Sequence, residues 1–289
     1  MKRMEEIVSY FESVHMKQAT LQLLDTAHRS PDACPFPPQQ TERYGAVSHR
    51  ICDHRPVFTI RPEQPVMRLL YLHGGAFYND FAPAHWRLMG KLAETLRAEV
   101  VTPDYPLTPI FGHRDVMHML RQVYRDCLED LPGGRLVLAG DSAGGNLALA
   151  LCQWARDLGL SLPRRLALLS PWLDLSMSSP RLAELDAVDP FLEPVSGARI
   201  AAWYAQGSAL TDPSVSPLFG DMAGLPPTLI FTGTRDILND DARRADAALR
   251  SAGTACRLHE AEGMIHTWML FPVEEAVQPL SELTAFLRE

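Results

Sequence analysis

The stretch Arg135 to Gly145, R-L-V-L-A-G-D-S-A-G-G, decides the architecture. Leu136 to Ala139 is a short, continuously apolar run of the kind that fills a strand buried on both faces of a sheet. Beyond it, Gly140 and Gly144–Gly145 bracket Ser142, and from Asn146 to Ala155 the chain is apolar around almost its whole circumference, which predicts a buried helix. Strand, glycine-flanked serine and helix, in that order, describe a turn tight enough to lift a serine hydroxyl above the end of a sheet. The first amides of such a helix face the same point, where their partial positive charge suits a developing oxyanion.

On either side, short β-rich runs alternate with helical patterns from about residue 46, the signature of a mostly parallel sheet covered by helices on both faces. The expected strands are A-V-S-H-R-I-C and P-V-F-T-I, then residues 67–72, 98–103, 135–140, 165–170, 228–233 and 255–260, about eight in all. Residues 114–131 carry Val116, Leu120, Val123, Cys127 and Leu131 at spacings of three and four, which predicts an amphipathic covering helix. Two segments stand outside the alternation. Residues 1 to about 40 give a helical pattern (Ile7, Phe11, Val14) that ends in P-D-A-C-P-F-P-P, and residues 176–215 form a long insertion between the sixth and seventh strands. A connection of that length in a compact domain is usually functional, so both are expected to cap the site. The expected division is 1–42, N-terminal cap segment; 43–175 and 216–289, the two parts of the core; and 176–215, cap insertion.

The second glycine-rich signal is H-G-G-A at His73 to Ala76, immediately after the strand M-R-L-L-Y-L. Small residues at a strand end let a substrate approach main-chain amides closely, so Gly75 and Ala76 are candidate oxyanion donors with the amide of Ala143, and His73 and Gly74 support that loop. A serine hydroxyl is a poor nucleophile at neutral pH. It needs a histidine to take its proton and a carboxylate to hold the imidazole, both placed after the serine in the order acid, then histidine. Asp236 follows the strand T-L-I-F-T-G, and His266, in E-G-M-I-H-T-W, follows the last strand. Asp240 and Asp241 are rivals for the acid, but their offset puts them in the first turn of the next helix.

Composition narrows the field. A 289-residue chain with 46% hydrophobic and 21% charged residues can bury one large core. Its net charge of -8 and pI near 5.7 disfavour a nucleic-acid partner, which a basic stripe would have to recognise. No apolar run of about eighteen residues is present, and Glu5 and Glu6 interrupt any amino-terminal apolar stretch, so the expectation is a soluble, cytoplasmic protein with no membrane partner. The five cysteines are scattered and nowhere spaced C-x-x-C, consistent with reduced core or surface residues.

With these elements in order, the chain resembles the hormone-sensitive lipase family of α/β-hydrolases over roughly residues 45–289. The likeness is carried by H-G-G-A-F, D-Y-P-L-T-P at 104–109, G-D-S-A-G-G, S-P-W-L-D-L at 170–175, S-P-L-F-G-D-M-A-G-L-P-P-T-L-I at 216–230, and the Asp236 and His266 contexts. The resemblance implies an α/β-hydrolase fold with a helical cap, a serine carboxylesterase acting on short- to medium-chain acyl esters, and no cofactor or metal. Ala76 replaces the usual third glycine, and D-Y-P-L-T-P-I replaces D-Y-R-L-A-P-E; both read as tuning of substrate preference. The same three residues also serve an amidase, formamidase or deacetylase, and a non-catalytic binding protein is the rival from another class. The aromatics Phe191, Trp203 and Tyr204 of the insertion belong either to pocket walls or, the favoured reading, to the core of the cap. A homodimer through a sheet edge or the terminal helix is left open.

Overall fold

The run that opens the sequence reading is strand β5, Leu136–Asp141, every residue of which is buried. In the computed structural model, which describes residues 2–26 and 34–289, it is central in an eight-stranded sheet with β1 (Ala46–Cys52), β2 (Arg55–Arg61), β3 (Met67–Leu72), β4 (Ala98–Pro103), β6 (Leu166–Leu169), β7 (Thr228–Arg235) and β8 (Cys256–Ile265). The order is β1-β2-β4-β3-β5-β6-β7-β8. Strand β2 runs antiparallel to β1 and β4, and every pairing from β4 to β8 is parallel. All eight expected strands are present.

Alternation along the central strands divides the core. Leu70, Leu72, Leu136 and Leu138 face one layer, packed by helices α4 (His113–Cys127), α5 (Ala143–Asp157) and α8 (Asn239–Ser251). Leu69, Tyr71, Val137 and Ala139 face the other, packed by α3 (Pro83–Leu96), α9 (Val277–Arg288) and α1 (Met4–Ser13). Burial on both faces explains why these strands lack a polar side.

Most boundaries shift by a few residues from the sequence reading, and three differences have a local cause. Helix α4 keeps the Val116, Leu120, Val123, Cys127 stripe but ends before Leu131, where Asp130 turns with φ 42° ahead of Pro132. In α1 the buried stripe is Met4, Val8 and Phe11; Val14 caps the helix and is exposed. Strand β8 continues to Ile265 because its pairing with β7 extends, across an irregularity, to Arg235↔Ile265. Helix α2 is Met16–Thr26; the start of the proline-rich segment, residues 31–33, lies outside the described residues. The insertion contains α6 (Leu182–Val188) and α7 (Pro194–Ala205). Four of the five unpaired cysteines are buried and Cys34 is half-buried. No helix among the described residues is long and apolar enough to cross a membrane.

Candidate active site

Ser142 sits between β5 and α5 with φ 53° and ψ −120°, a backbone conformation that costs an L-residue about 1–3 kcal/mol. The turn is held from several sides. The Ser142 amide donates to the Leu169 carbonyl (2.9 Å), and its own carbonyl accepts from Gly145 (3.0 Å) and Trp172 (3.1 Å). It is also too crowded for side chains. A Cβ on Gly140 would lie 2.3 Å from the Gly144 carbonyl oxygen, and one on Gly144 would lie 2.0 Å from that of Leu72. These glycines let the elbow press against the end of β3, where the H-G-G-A loop begins.

The hydroxyl of Ser142 lies 2.9 Å from His266 Nε2, and Asp236 Oδ2 lies 2.9 Å from His266 Nδ1. All three residues are buried, Asp236 completely. The second Asp236 oxygen accepts the Leu238 amide at 2.9 Å, which fixes the carboxylate on the loop after β7. Thr267, in a left-handed conformation, donates its amide to Ser170 Oγ (3.0 Å) and so pins the His266 loop to the end of β6. Burial disfavours the imidazolium, but Asp236 and further carboxylates outweigh it and raise the His266 pKa above its ordinary value.

The loop after β3 lies against the same centre. Gly75 has φ 120°, and a Cβ there would lie 2.5 Å from the Asn79 carbonyl oxygen; Ala76 follows with φ 55°. Gly75, Ala76, Ser142 and His266 all line one cavity, and Ala143 opens α5 beside them. The amides of Gly75, Ala76 and Ala143 donate to no acceptor among the described residues. His73 is fully buried between the rings of Phe81 (4.0 Å) and Tyr105 (4.3 Å), and Nδ1–H donates to the Gly74 carbonyl (2.6 Å). Burial, with His85 nearby, lowers its pKa to about 3, so it is a neutral spacer under the loop.

Two further carboxylates lie against this site without any sequence signal strong enough to single them out. Asp141, inside the G-D-S-A-G-G motif, accepts Tyr71 Oη–H (2.7 Å) and the Gly74 amide (3.0 Å), and His85 Nε2 lies 3.3 Å away. Burial opposes its charge, yet His85 and the donated hydrogen bonds keep its pKa low. It thereby ties the elbow to the H-G-G-A loop. Asp189, from the insertion, lies beside Asp236 and accepts the next amide but one in sequence from Arg235, that of Ile237. The D-Y-P-L-T-P stretch supports the loop from beneath: Tyr105 donates to the His73 carbonyl (2.6 Å) and the Thr108 amide to that of Phe77 (2.8 Å).

The rival acids stand in the first turn of α8, as expected, but the Asp240 carboxylate reaches the insertion and that of Asp241 the stretch just before it. Asp241 accepts the amides of Leu173 and Asp174, both at 2.9 Å, and Asp240 accepts Ser179 Oγ–H at 2.7 Å. Neither joins Ser142 and His266. The aromatics divide. Tyr204 is buried and stacks on Phe77 at 3.8 Å, Trp203 is half-buried against Tyr78, and Phe191 lines the cavity.

The cavity above Ser142 has a volume of about 690 Å³. Its walls include Phe11 and Leu24 from the first segment and Met177, Phe191 and Ile200 from the insertion. Phe11 packs on Phe191 (5.1 Å between centroids) and on Phe271 (5.9 Å), and the Phe191 ring is 6.2 Å from that of His266.

Residues 69–270 match the family model described as alpha/beta hydrolase fold. An acetyl-hydrolase of Streptomyces hygroscopicus is 36% identical over 233 residues, covering 79% of this chain and 78% of that protein. The crystal structure of a putative esterase from Staphylococcus aureus superposes with a TM-score of 0.83 at 28% identity, covering 88% of this chain and 87% of that one. An esterase from the bacterial hormone-sensitive lipase family, 24% identical, shares the fold with a TM-score of 0.83 over 100% of this chain and 99% of its own. The chain belongs to the hormone-sensitive lipase family of α/β-hydrolases and is a serine hydrolase of carboxylic esters.

Proposed function

We propose that this enzyme hydrolyses short- to medium-chain acyl esters through an acyl-enzyme on Ser142. The observation that carries this reading is the continuous relay from Ser142 Oγ through His266 to Asp236, at 2.9 Å for each step, opening into an apolar-walled cavity. Ser142 attacks the ester carbonyl while His266 Nε2 takes its proton. The resulting oxyanion rests on the amides of Gly75, Ala76 and Ala143, each such donor contributing roughly 3 kcal/mol of transition-state stabilisation. His266 then protonates the departing alcohol, activates a water and releases the acid. Asp236 stays ionised and steadies the imidazolium throughout.

The chain-length reading is supported by the cavity, whose roughly 690 Å³ exceeds what an acetyl group alone needs. The name of the Streptomyces relative supports the short end of the range. In this reading residues 1–42 and 176–215 form the cap, because side chains from both line the cavity and Phe11 of one packs on Phe191 of the other. The test is a ladder of p-nitrophenyl esters from acetate to long acyl chains, with wild type and Ser142→Ala. Turnover peaking at short to medium chains and lost in the variant is the expected result. A long-chain optimum removes the chain-length reading, and turnover that survives in Ser142→Ala removes the mechanism.

A further inference from the structure

Asp189 is a buried carboxylate to which the mechanism above gives no task. It lies just past α6 in D-P-F-L and folds the following turn onto itself: Oδ1 accepts the amides of Phe191 (2.7 Å) and Leu192 (2.9 Å). Its other oxygen leaves the insertion and accepts the Ile237 amide at 2.9 Å, one residue beyond Asp236. One side chain thus ties the segment carrying Phe191, a cavity wall, to the loop carrying the acid. It also places a second buried carboxylate beside Asp236.

We propose that Asp189 is a positioning residue for the His266–Asp236 pair, fixing the acid loop against the insertion and adding a second negative charge that His266 senses. This rests on the reading of Ser142, His266 and Asp236 as the reacting group. His266 faces Asp236 from the loop after β7, Asp189 from the segment after α6, and Asp141 from the end of β5, and all three favour the imidazolium. Asp189 in turn faces Asp236. Burial, and then Asp236, push its own pKa up, while the amides of Leu192, Phe191 and Ile237 favour its charged form. The neighbouring cation in the chain, Arg235, is engaged elsewhere, by the Val188 carbonyl (3.0 Å) and Glu12 (3.0 Å). Lys17 pairs with Asp186 at 2.7 Å. No cation among these pairs with Asp189.

The test compares kcat and the pH dependence of kcat/KM for wild type, Asp189→Asn and Asp189→Glu on one p-nitrophenyl ester, after thermal unfolding has established that each variant is folded. Asparagine keeps an acceptor for Phe191 and Leu192 but turns an N–H towards Ile237 and carries no charge. The acid limb of kcat/KM, where the base is lost to protonation, is expected to move down by about half a pH unit or more, with kcat reduced about tenfold. Glutamate keeps the charge and disturbs the geometry, so kcat falls while the limb stays in place. An Asp189→Asn limb within about 0.2 pH unit of wild type, or equal displacement in both variants, overturns the proposal. If Asp189→Asn does not fold, Asp189→Glu carries the test: a wild-type limb with reduced kcat supports it, and a displaced limb overturns it. Ser142→Ala reports separately on the underlying mechanism, because turnover surviving there is a failure of that reading and not of this one.

Discussion

Replacing Asp236 by asparagine changes one atom and sets two bonds against each other. The carboxylate accepts on both oxygens, from Leu238 N–H on one and His266 Nδ1–H on the other. An asparagine has one acceptor. If its carbonyl stays on Leu238, its amide group donates to Nδ1, forces the proton onto Nε2, and leaves the imidazole unable to take the serine proton. If it rotates to keep the active tautomer, its amide meets the Leu238 N–H and leaves a buried donor unsatisfied, at about 1–3 kcal/mol. Even then the imidazolium loses its charged partner, a hydrogen bond worth about 1.5–3 kcal/mol, at a position that is itself fully buried. Together these raise the barrier by about 3–6 kcal/mol, a fall in kcat of about a hundredfold to ten-thousandfold. The assay is kcat at saturating p-nitrophenyl ester, with thermal unfolding alongside to separate lost chemistry from lost fold. A folded Asp236→Asn enzyme keeping more than a tenth of wild-type kcat refutes the reasoning.

Two further outcomes concern stability. Ser142→Gly removes the side chain from a strained position, so activity disappears while the unfolding temperature rises by a few degrees, the relief of about 1–3 kcal/mol being partly offset by glycine's extra freedom in the unfolded chain; a lower unfolding temperature contradicts it. Burial, with Asp174 adding to it, pushes the pKa of Asp241 up to about 8, so the folded protein holds a proton that the unfolded chain releases near pH 4. That contribution to stability is lost as pH rises from about 4 through 8, and Asp241→Asn, which still accepts from Leu173 and Asp174, is expected to be the more stable protein at pH 8–9 and to lose that advantage near pH 4. Parallel stability curves for the two proteins refute it.

What the sequence discloses and what it hides follow from how locally each feature is encoded. The strands are legible because a sheet covered on both faces demands apolar runs, and the elbow because its crowding admits only glycine at Gly140 and Gly144. Asp236 and His266 are legible from their position after strand ends. Asp189 is not, because its work is done across 48 positions of chain, on an amide that any residue but proline at 237 supplies. Asp241 stands in a first helical turn as its offset predicts, but the partners of its carboxylate, the amides of Leu173 and Asp174, are hidden for the same reason: they lie far away in sequence. Helix α4 stops short of Leu131 because a local turn at Asp130 outweighs one more apolar contact.

The reacting groups stand on loops at the ends of the sheet strands, whereas much of the cavity wall is made by Phe11, Leu24, Phe191 and Ile200, on segments outside the sheet. In the proposed mechanism, substitution of such a wall residue reshapes the pocket without changing a reacting group. On that reading the chemistry and the shape of the pocket are carried by different parts of the chain, so the one can be altered while the other stays the same.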